Sequence, residues 1–97
     1  MNIKIYQPND KCEFCFKGFR FVEKFYNGNV NFDTNYKKVY EFEEDYEGDM
    51  NSLLEGLFIR FQGIKPSGYS GHSLSVSDIV VVDGNKYYVD SFGFKKL

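Results

Sequence analysis

The stretch from Ser67 to Ser77 has the highest local density of hydroxyl and imidazole side chains in this 97-residue chain. Five serines and the only histidine, His72, lie within it. One interpretation is a serine nucleophile, because GYSGH (68–72) differs by one residue from the G-x-S-x-G elbow of hydrolases. His72 replaces the last glycine of that elbow, however, and only 25 residues follow it, too few to complete a triad. We therefore predict no catalytic residue.

Cys12 and Cys15 have the spacing of half a zinc site, but a structural zinc site needs four ligands. The chain offers two thiols and one imidazole, that of His72. In an extended segment the two thiols would also point to opposite faces. We interpret them as core or edge cysteines, and predict neither a metal nor a cofactor. A cysteine activated by His72 stays open as an enzymatic alternative.

The composition predicts one globular domain, residues 1–97, because 42% of the residues are hydrophobic and 27% are charged. No apolar run approaches the roughly 18 residues of a membrane span, and the N-terminus lacks the apolar region of a signal peptide. We therefore expect a cytoplasmic protein with reduced cysteines and no membrane partner. The net charge of −2 makes nucleic acid a less favoured partner.

The segment EFEEDYEGD (41–49) concentrates six of the fourteen acidic residues, with no base among them. Such a block attracts basic surfaces, although its simpler interpretation is a solvated strand end and loop. The chain also has 11 Phe and 8 Tyr, more rings than a small core needs, so we expect several tyrosines on the surface as interface anchors. Lys17, Arg20 and Lys24 stand among aromatic residues, but their spacing fits the solvated face of a helix better than a nucleic-acid site.

Hydrophobic periodicity predicts the elements that must position these residues. Strands are expected at 2–6, 13–16 and 36–44, a β-hairpin at 79–92, and helices at 18–26 and 49–63. Gly63 is expected to end the second helix, and Gly84-Asn85 to form the hairpin turn. The order β-β-α-β-α-β-β is that of a single small α+β domain, with a mostly antiparallel sheet, two helices packed on it and a C-terminal β-hairpin.

Serines alternate with apolar residues in SLSVSDIV (73–80), and this period of two predicts extended backbone. The apolar side chains would be buried on one side, and three serine hydroxyls would line the other. Asp78 would bond the backbone where the chain turns into the next strand. We expect His72 to pack as a neutral, hydrogen-bonded residue at the base of this loop.

The segment GYSGHSLSVSDIVVVDGNKYYVDSFGF (68–94) resembles the C-terminal signature of YodL-like domains, which ends in a hairpin and D-S-x-G-F. IKIYQ (3–7) and MNSLLEGLFIRF (50–61) fit the layout of that family, whereas residues 12–35 match only in the order of elements. The resemblance implies cargo of plasmids, conjugative elements and phages of Firmicutes, often beside anti-restriction modules, and implies no catalytic mechanism. Residues that would form its shared surface are Tyr69, Gly71, His72, Ser73, Ser75, Ser77, Asp78, Asp90, Ser91, Phe92 and Gly93.

These observations favour a small non-enzymatic accessory protein of a mobile genetic element or phage that binds and inhibits a host defence component, of the anti-CRISPR or anti-restriction type. Its partner would be a host or element protein with a basic surface, such as a CRISPR effector or restriction enzyme. The predicted partner-binding residues are Glu41, Glu43, Glu44, Asp45, Tyr46, Glu47, Asp49, Tyr69, His72, Ser73 and Ser75.

The alternative is a nucleic-acid- or protein-binding module of a mobile element without inhibitory action. The entry into the hairpin also resembles that of small RNA-binding barrels of the PUA and ASCH type. The sequence leaves the oligomeric state open.

Overall fold

Five antiparallel strands form the centre of the computed structural model, which describes all 97 residues. The strands are β1 (Asn2–Pro8), β2 (Tyr36–Glu43), β3 (Ile79–Val82), β4 (Asn85–Val89) and β5 (Phe94–Lys96). The helices are α1 (Phe19–Tyr26), α2 (Phe32–Asn35) and α3 (Met50–Arg60). The sheet order is β2-β1-β3-β4-β5, so β1 lies inside the sheet while β2 and β5 form its edges. The expected α+β class, with helices on an antiparallel sheet and a C-terminal hairpin, is confirmed.

Helix α3 covers one face of the sheet. Its apolar residues recur at helical spacing, which places Leu53, Leu54 and Leu57 on the side that faces the strands. They pack against Ile3 and Ile5, which β1 points to this side because alternate residues of a strand face opposite ways. Each such buried side chain contributes about 1.5–3 kcal/mol relative to an exposed one.

Helix α1 covers the opposite face through Phe19 and Val22, which pack in a second buried cluster with Ile79 and Tyr88. All four residues of β3 are buried, since the strand lies between two others and under a layer on each side. The sheet is therefore sandwiched, with an α3 side and an α1 side.

The segment Glu13–Phe16, predicted as the second strand, forms turns instead. Cys12 donates its N–H to the Asn9 carbonyl at 3.2 Å, and Lys17 donates to the Phe14 carbonyl at 3.0 Å. Of this segment only Phe14 is fully buried, in the cluster under α1. A hairpin with the preceding β1 would need a free side of that strand, and both sides of β1 are already occupied by β2 and β3.

The hairpin turn is Asp83-Gly84, one residue before the predicted Gly84-Asn85. Val82 pairs with Asn85 across the turn. Asp83 and Gly84 have φ values of 47° and 87°, the pair of positive angles that a type I′ turn requires and that Asp-Gly adopts readily. The register is accordingly shifted from that of a Gly84-Asn85 turn, and Lys86 lies opposite Val81.

Three smaller features also differ from the expectation. Helix α3 ends at Arg60 rather than near Gly63, and the short α2 and β5 were not predicted. A helix of four residues and a strand of three carry too few residues for a periodic pattern. None of the three helices has the length and apolarity needed to cross a membrane.

Candidate partner-binding surface

Gln7 is the centre of a buried polar network that the sequence interpretation missed. It continues the alternation of Ile3 and Ile5, so β1 points its amide into the fold, where the residue is 1% exposed. Its Nε2 donates to the His72 carbonyl at 2.8 Å, and its Oε1 accepts from the His72 N–H at 3.1 Å. Gly71 permits this approach, because a Cβ there would overlap the amide oxygen of Gln7. The network fixes the loop around residue 72 on the end of β1.

Asp78 is fully buried and belongs to the same network. Its Oδ2 accepts from the Ser75 N–H at 2.8 Å and from Gln7 Nε2 at 3.1 Å, whereas Oδ1 has no hydrogen-bond partner. Burial raises the pKa of Asp78 to about 7, against the opposing effect of those two hydrogen bonds. Near neutral pH the carboxyl is therefore divided between its charged and neutral forms.

The backbone from Ser75 to Asp78 forms a turn, so the prediction of extended backbone was wrong. Asp78 donates its N–H to the Ser75 carbonyl at 3.0 Å, and Ser77 has a positive φ of 82°. Ser77 is fully buried, and its hydroxyl accepts from the Phe16 N–H at 2.8 Å. A segment 61 residues away thus satisfies the hydroxyl inside the fold, which alternation alone could not indicate.

His72 is hydrogen-bonded as predicted, but its side chain lies at the surface. Its Nδ1 lies 2.7 Å from the Ser73 carbonyl oxygen and 3.3 Å from Gln7 Nε2. The imidazole faces the ring of Phe16 at a centroid distance of 5.5 Å. Tyr69, Ser73 and Ser75 are only half-exposed, so His72 is the most accessible predicted binding residue of this loop.

Cys12 and Cys15 are half-buried free thiols. Burial raises the pKa of both, and the carboxylate of Asp78 adds to the effect at Cys15. Thiols with raised pKa values stay protonated at neutral pH and are poor nucleophiles. No group of three or more His, Cys, Asp or Glu side chains is placed to hold a metal ion.

Asp90 joins the end of β4 to the start of α1. Its Oδ1 accepts from the Phe19 N–H at 3.0 Å and from the Ser91 N–H at 2.7 Å. The first of these bonds satisfies one of the free N–H groups at the helix start, where Gly18 offers no capping side chain. The D-S-x-G-F segment therefore contributes to the fold through its first residue.

The acidic segment, Glu41–Asp49, comprises the end of edge strand β2 and the loop that leads into α3. The fold brings to it the bases that its own sequence lacks. Glu41 pairs with Lys38 at 2.6 Å, which lowers the pKa of that carboxyl. Glu44 pairs with Arg60 at 2.8 Å through one oxygen and at 3.3 Å through the other.

The remaining carboxylates of the acidic segment are more open. Glu43 is 74% exposed and lies 3.9 Å from the N-terminal ammonium group. Asp49 caps α3 by accepting from the Ser52 N–H at 3.0 Å, and this bond lowers its pKa. Asp45 and Glu47 are exposed. The segment therefore keeps an excess of negative charge at the surface.

An open groove of about 380 Å³ borders the acidic segment. Its aromatic floor comes from Tyr40, Phe42 and Phe61, and the fully exposed Ile64 stands at its rim. The guanidinium of Arg60 lies 5.2 Å from the ring centres of both Phe42 and Phe61. Since Arg60 also pairs with Glu44, it connects the aromatic groove to the acidic segment.

None of the eight tyrosines is fully exposed, contrary to the expectation of surface tyrosines. Tyr46 packs against the core on the α3 side. Tyr69 stacks on Phe61 at 5.4 Å and donates its hydroxyl to the His72 carbonyl at 2.8 Å. The exposed rings are the phenylalanines Phe16, Phe25 and Phe92 instead.

The structure thus divides the predicted binding residues into two groups. The acidic segment lies beside the groove, and Tyr69 adjoins that groove through its stacking on Tyr40 and Phe61. His72, Ser73 and Ser75 instead belong to the network around Gln7. The groove was missed because its walls come from strand, helix and loop positions that meet only in the folded chain.

Comparison with known proteins identifies a family and a viral relative. A family model described as YodL-like domain matches residues 2–97. A protein of Acanthamoeba polyphaga mimivirus, named Uncharacterized protein R785, is 35% identical over 75 residues, which cover 65% of this chain and 69% of the viral protein. No solved structure matches the chain.

Proposed function

We propose that this chain, which belongs to the YodL-like domain family, is a non-enzymatic accessory protein of a virus or other mobile genetic element that binds and inhibits a host defence component. The proposed partner is a protein with a basic surface, such as a CRISPR effector or restriction enzyme. The proposed location is the cytoplasm, where Cys12 and Cys15 would stay free thiols.

The observation that carries this proposal is the acidic segment beside an aromatic groove. The outward carboxylates of Glu43, Asp45 and Glu47 would meet lysines or arginines of the partner. The groove would receive an apolar side chain, with Ile64 adding apolar area at the rim. A charged rim around a desolvated centre is the usual anatomy of a protein interface.

Charge reversal of the three open carboxylates tests the acidic surface. The variant Glu43→Lys, Asp45→Lys and Glu47→Lys leaves the Glu44–Arg60 pair and the Asp49 cap intact, so its fold should be preserved. A matched control reverses the exposed Asp10, Glu23 and Asp33, and changes the net charge equally.

The first assay is a pull-down from a nuclease-treated Firmicutes lysate, followed by titration of the purified partner. We expect the test variant to bind at least about 100-fold more weakly than the matched control, because like charges would face each other in the complex. Equal affinity of the two variants would remove the acidic surface from the proposal.

Inhibition needs its own measurement. The chain should restore transformation of a plasmid into cells with an active restriction or CRISPR system, and the charge-reversed variant should not. Binding without restored transformation would favour a binding module without inhibitory action. In the pull-down, a partner that is recovered from an untreated lysate but not from the nuclease-treated one would indicate that nucleic acid, and not protein, connects the chain to its partner.

A further inference from the structure

Helix α1 presents an aromatic and cationic surface that the proposed function does not use. The Nζ of Lys17 lies 5.6 Å from the ring centre of Phe21, and that of Lys24 lies 5.3 Å from the ring centre of Phe25. The two rings are 4.6 Å apart, so these four side chains are contiguous. Arg20 lies one helical turn before Lys24 on the same side. We call these five residues the α1 stripe.

The α1 stripe is open to solvent and its cations have no acidic partner. Phe25 is 58% exposed, and Lys17, Arg20 and Lys24 are all exposed. The three ion pairs of the structure involve residues of the acidic segment, and none involves α1. Glu23 is the one carboxylate of the helix. Three unpaired cations beside an exposed ring differ from the usual solvated helix face, where charges of both signs alternate.

Two further cations lie on the α1 side of the sheet. The Nζ of Lys86 is 5.0 Å from the ring centre of Phe32, and that of Lys95 is 5.9 Å from that of Phe19. Both rings belong to the α1-side cluster or pack against it. Although the net charge of the chain is −2, four cations thus lie within 6 Å of ring centres on the α1 side.

Phe16, directly before Lys17, adds a second exposed ring. It is 60% exposed and has a φ of 65°, which is an uncommon conformation for a bulky residue. Its backbone N–H is held by the Ser77 hydroxyl. The fold thus keeps this ring outside, beside the imidazole of His72, at a cost in backbone strain.

We propose that the α1 stripe binds single-stranded nucleic acid. Lys17, Arg20 and Lys24 contact backbone phosphates, and a base stacks on Phe25. Cations that follow a backbone, together with rings that accept any base, are the combination by which proteins hold unpaired strands. A duplex would offer the phosphates but not the faces of its bases. The inference is independent of the proposed function, because it uses none of the residues of the acidic segment.

The test is fluorescence anisotropy with a labelled 15-nucleotide oligothymidine between 20 and 200 mM salt. We expect a Kd on the order of 10–100 µM at the upper salt limit, the range of sequence-independent binding. With three phosphate contacts, the logarithm of affinity should fall against the logarithm of salt with a slope of about −2. Lys24→Ser should reduce that slope by about 0.7, and Phe25→Ala should weaken binding about 10-fold.

Two control variants remove an apolar side chain and a cation outside the α1 stripe. Ile59→Ala removes a 73% exposed apolar side chain of α3, and Lys37→Ser removes an exposed cation of β2; both should bind like the native chain. No binding at 20 mM salt would overturn the inference. So would unchanged affinity of Phe25→Ala together with full competition by heparin, because that result describes an attraction for any polyanion, such as an acidic protein.

Discussion

The buried carboxyl of Asp78 makes the stability of this fold depend on pH. Its ordinary pKa is 3.8, and in the fold its pKa is about 7. Between these values the folded chain holds a proton that the unfolded chain has lost, so stability falls as pH rises. At 1.36 kcal/mol for each pH unit, the whole interval corresponds to about 4 kcal/mol. About 3 kcal/mol of this loss falls between pH 5 and pH 8, against a total stability of about 5–15 kcal/mol for a small domain.

The substitution Asp78→Asn removes the titrating group and keeps its shape. Its amide oxygen can still accept from Ser75 and Gln7. Its NH₂ group would occupy the place of Oδ1, where no acceptor lies, but a protonated Asp78 presents an unpaired donor as well. We therefore expect native chain and variant to be about equally stable at pH 5. At pH 8 the variant should be the more stable by about 3 kcal/mol.

Urea unfolding at pH 5, 6, 7 and 8, followed by tyrosine fluorescence, measures this difference. With a slope of about 1.5 kcal/mol/M, the midpoint of the native chain should fall by about 2 M over this range, while that of the variant stays nearly constant. Comparison with the variant also subtracts the pH dependence of every titratable group that the two chains share. A native midpoint that does not change with pH, or a variant that falls in parallel, would refute the reasoning.

Three further substitutions test the packing around the loop, an open position of α3 and the start of α1. Gly71→Ala should destabilise the fold by at least about 2 kcal/mol because its Cβ would overlap Gln7, whereas Gly56→Ala, with open space on an exposed helical position, should stabilise it by about 1 kcal/mol. Thermal unfolding measures both, and an unchanged midpoint for Gly71→Ala would contradict the close approach. Asp90→Ala should cost about 1 kcal/mol through loss of its bond to Phe19; equal stability in urea would mean that this cap contributes nothing.

Periodic apolar residues were sufficient to locate most of the fold. The strands β1 and β2, the helices α1 and α3 and the C-terminal hairpin lie where the repeats predict them, because each buries one face against a layer. The segment Glu13–Phe16 alternates as well, but whether four alternating residues pair depends on a free sheet edge. The side of β1 that a hairpin with this segment would use is occupied by β3, which is more than sixty residues away in the sequence.

The candidate site was predictable in its charge but not in its contacts. Composition located the acidic segment, whereas its pairing with Arg60 depends on the approach of α3 to β2. Gln7 did carry a signal, since the alternation of β1 continues through it and a buried amide must find partners. Asp90 carried no such signal in the sequence, because its hydrogen-bond partner Phe19 lies 71 residues earlier.

The central position of β1 has a consequence for the growing chain on the ribosome. Ile3 pairs with Phe42 on one side and with Val82 on the other, so β1 receives its second neighbour only after the 79 residues from Lys4 to Val82 have been synthesised. At about 5–20 residues per second, the interval between the synthesis of β1 and that of β3 lasts roughly 4–16 seconds. During it the nascent chain carries a β-strand with at least one open edge, which invites pairing with other chains. The five-stranded sheet can form completely only after β3, β4 and β5 have been synthesised, so the folding of this domain cannot finish before its last strand has left the ribosome.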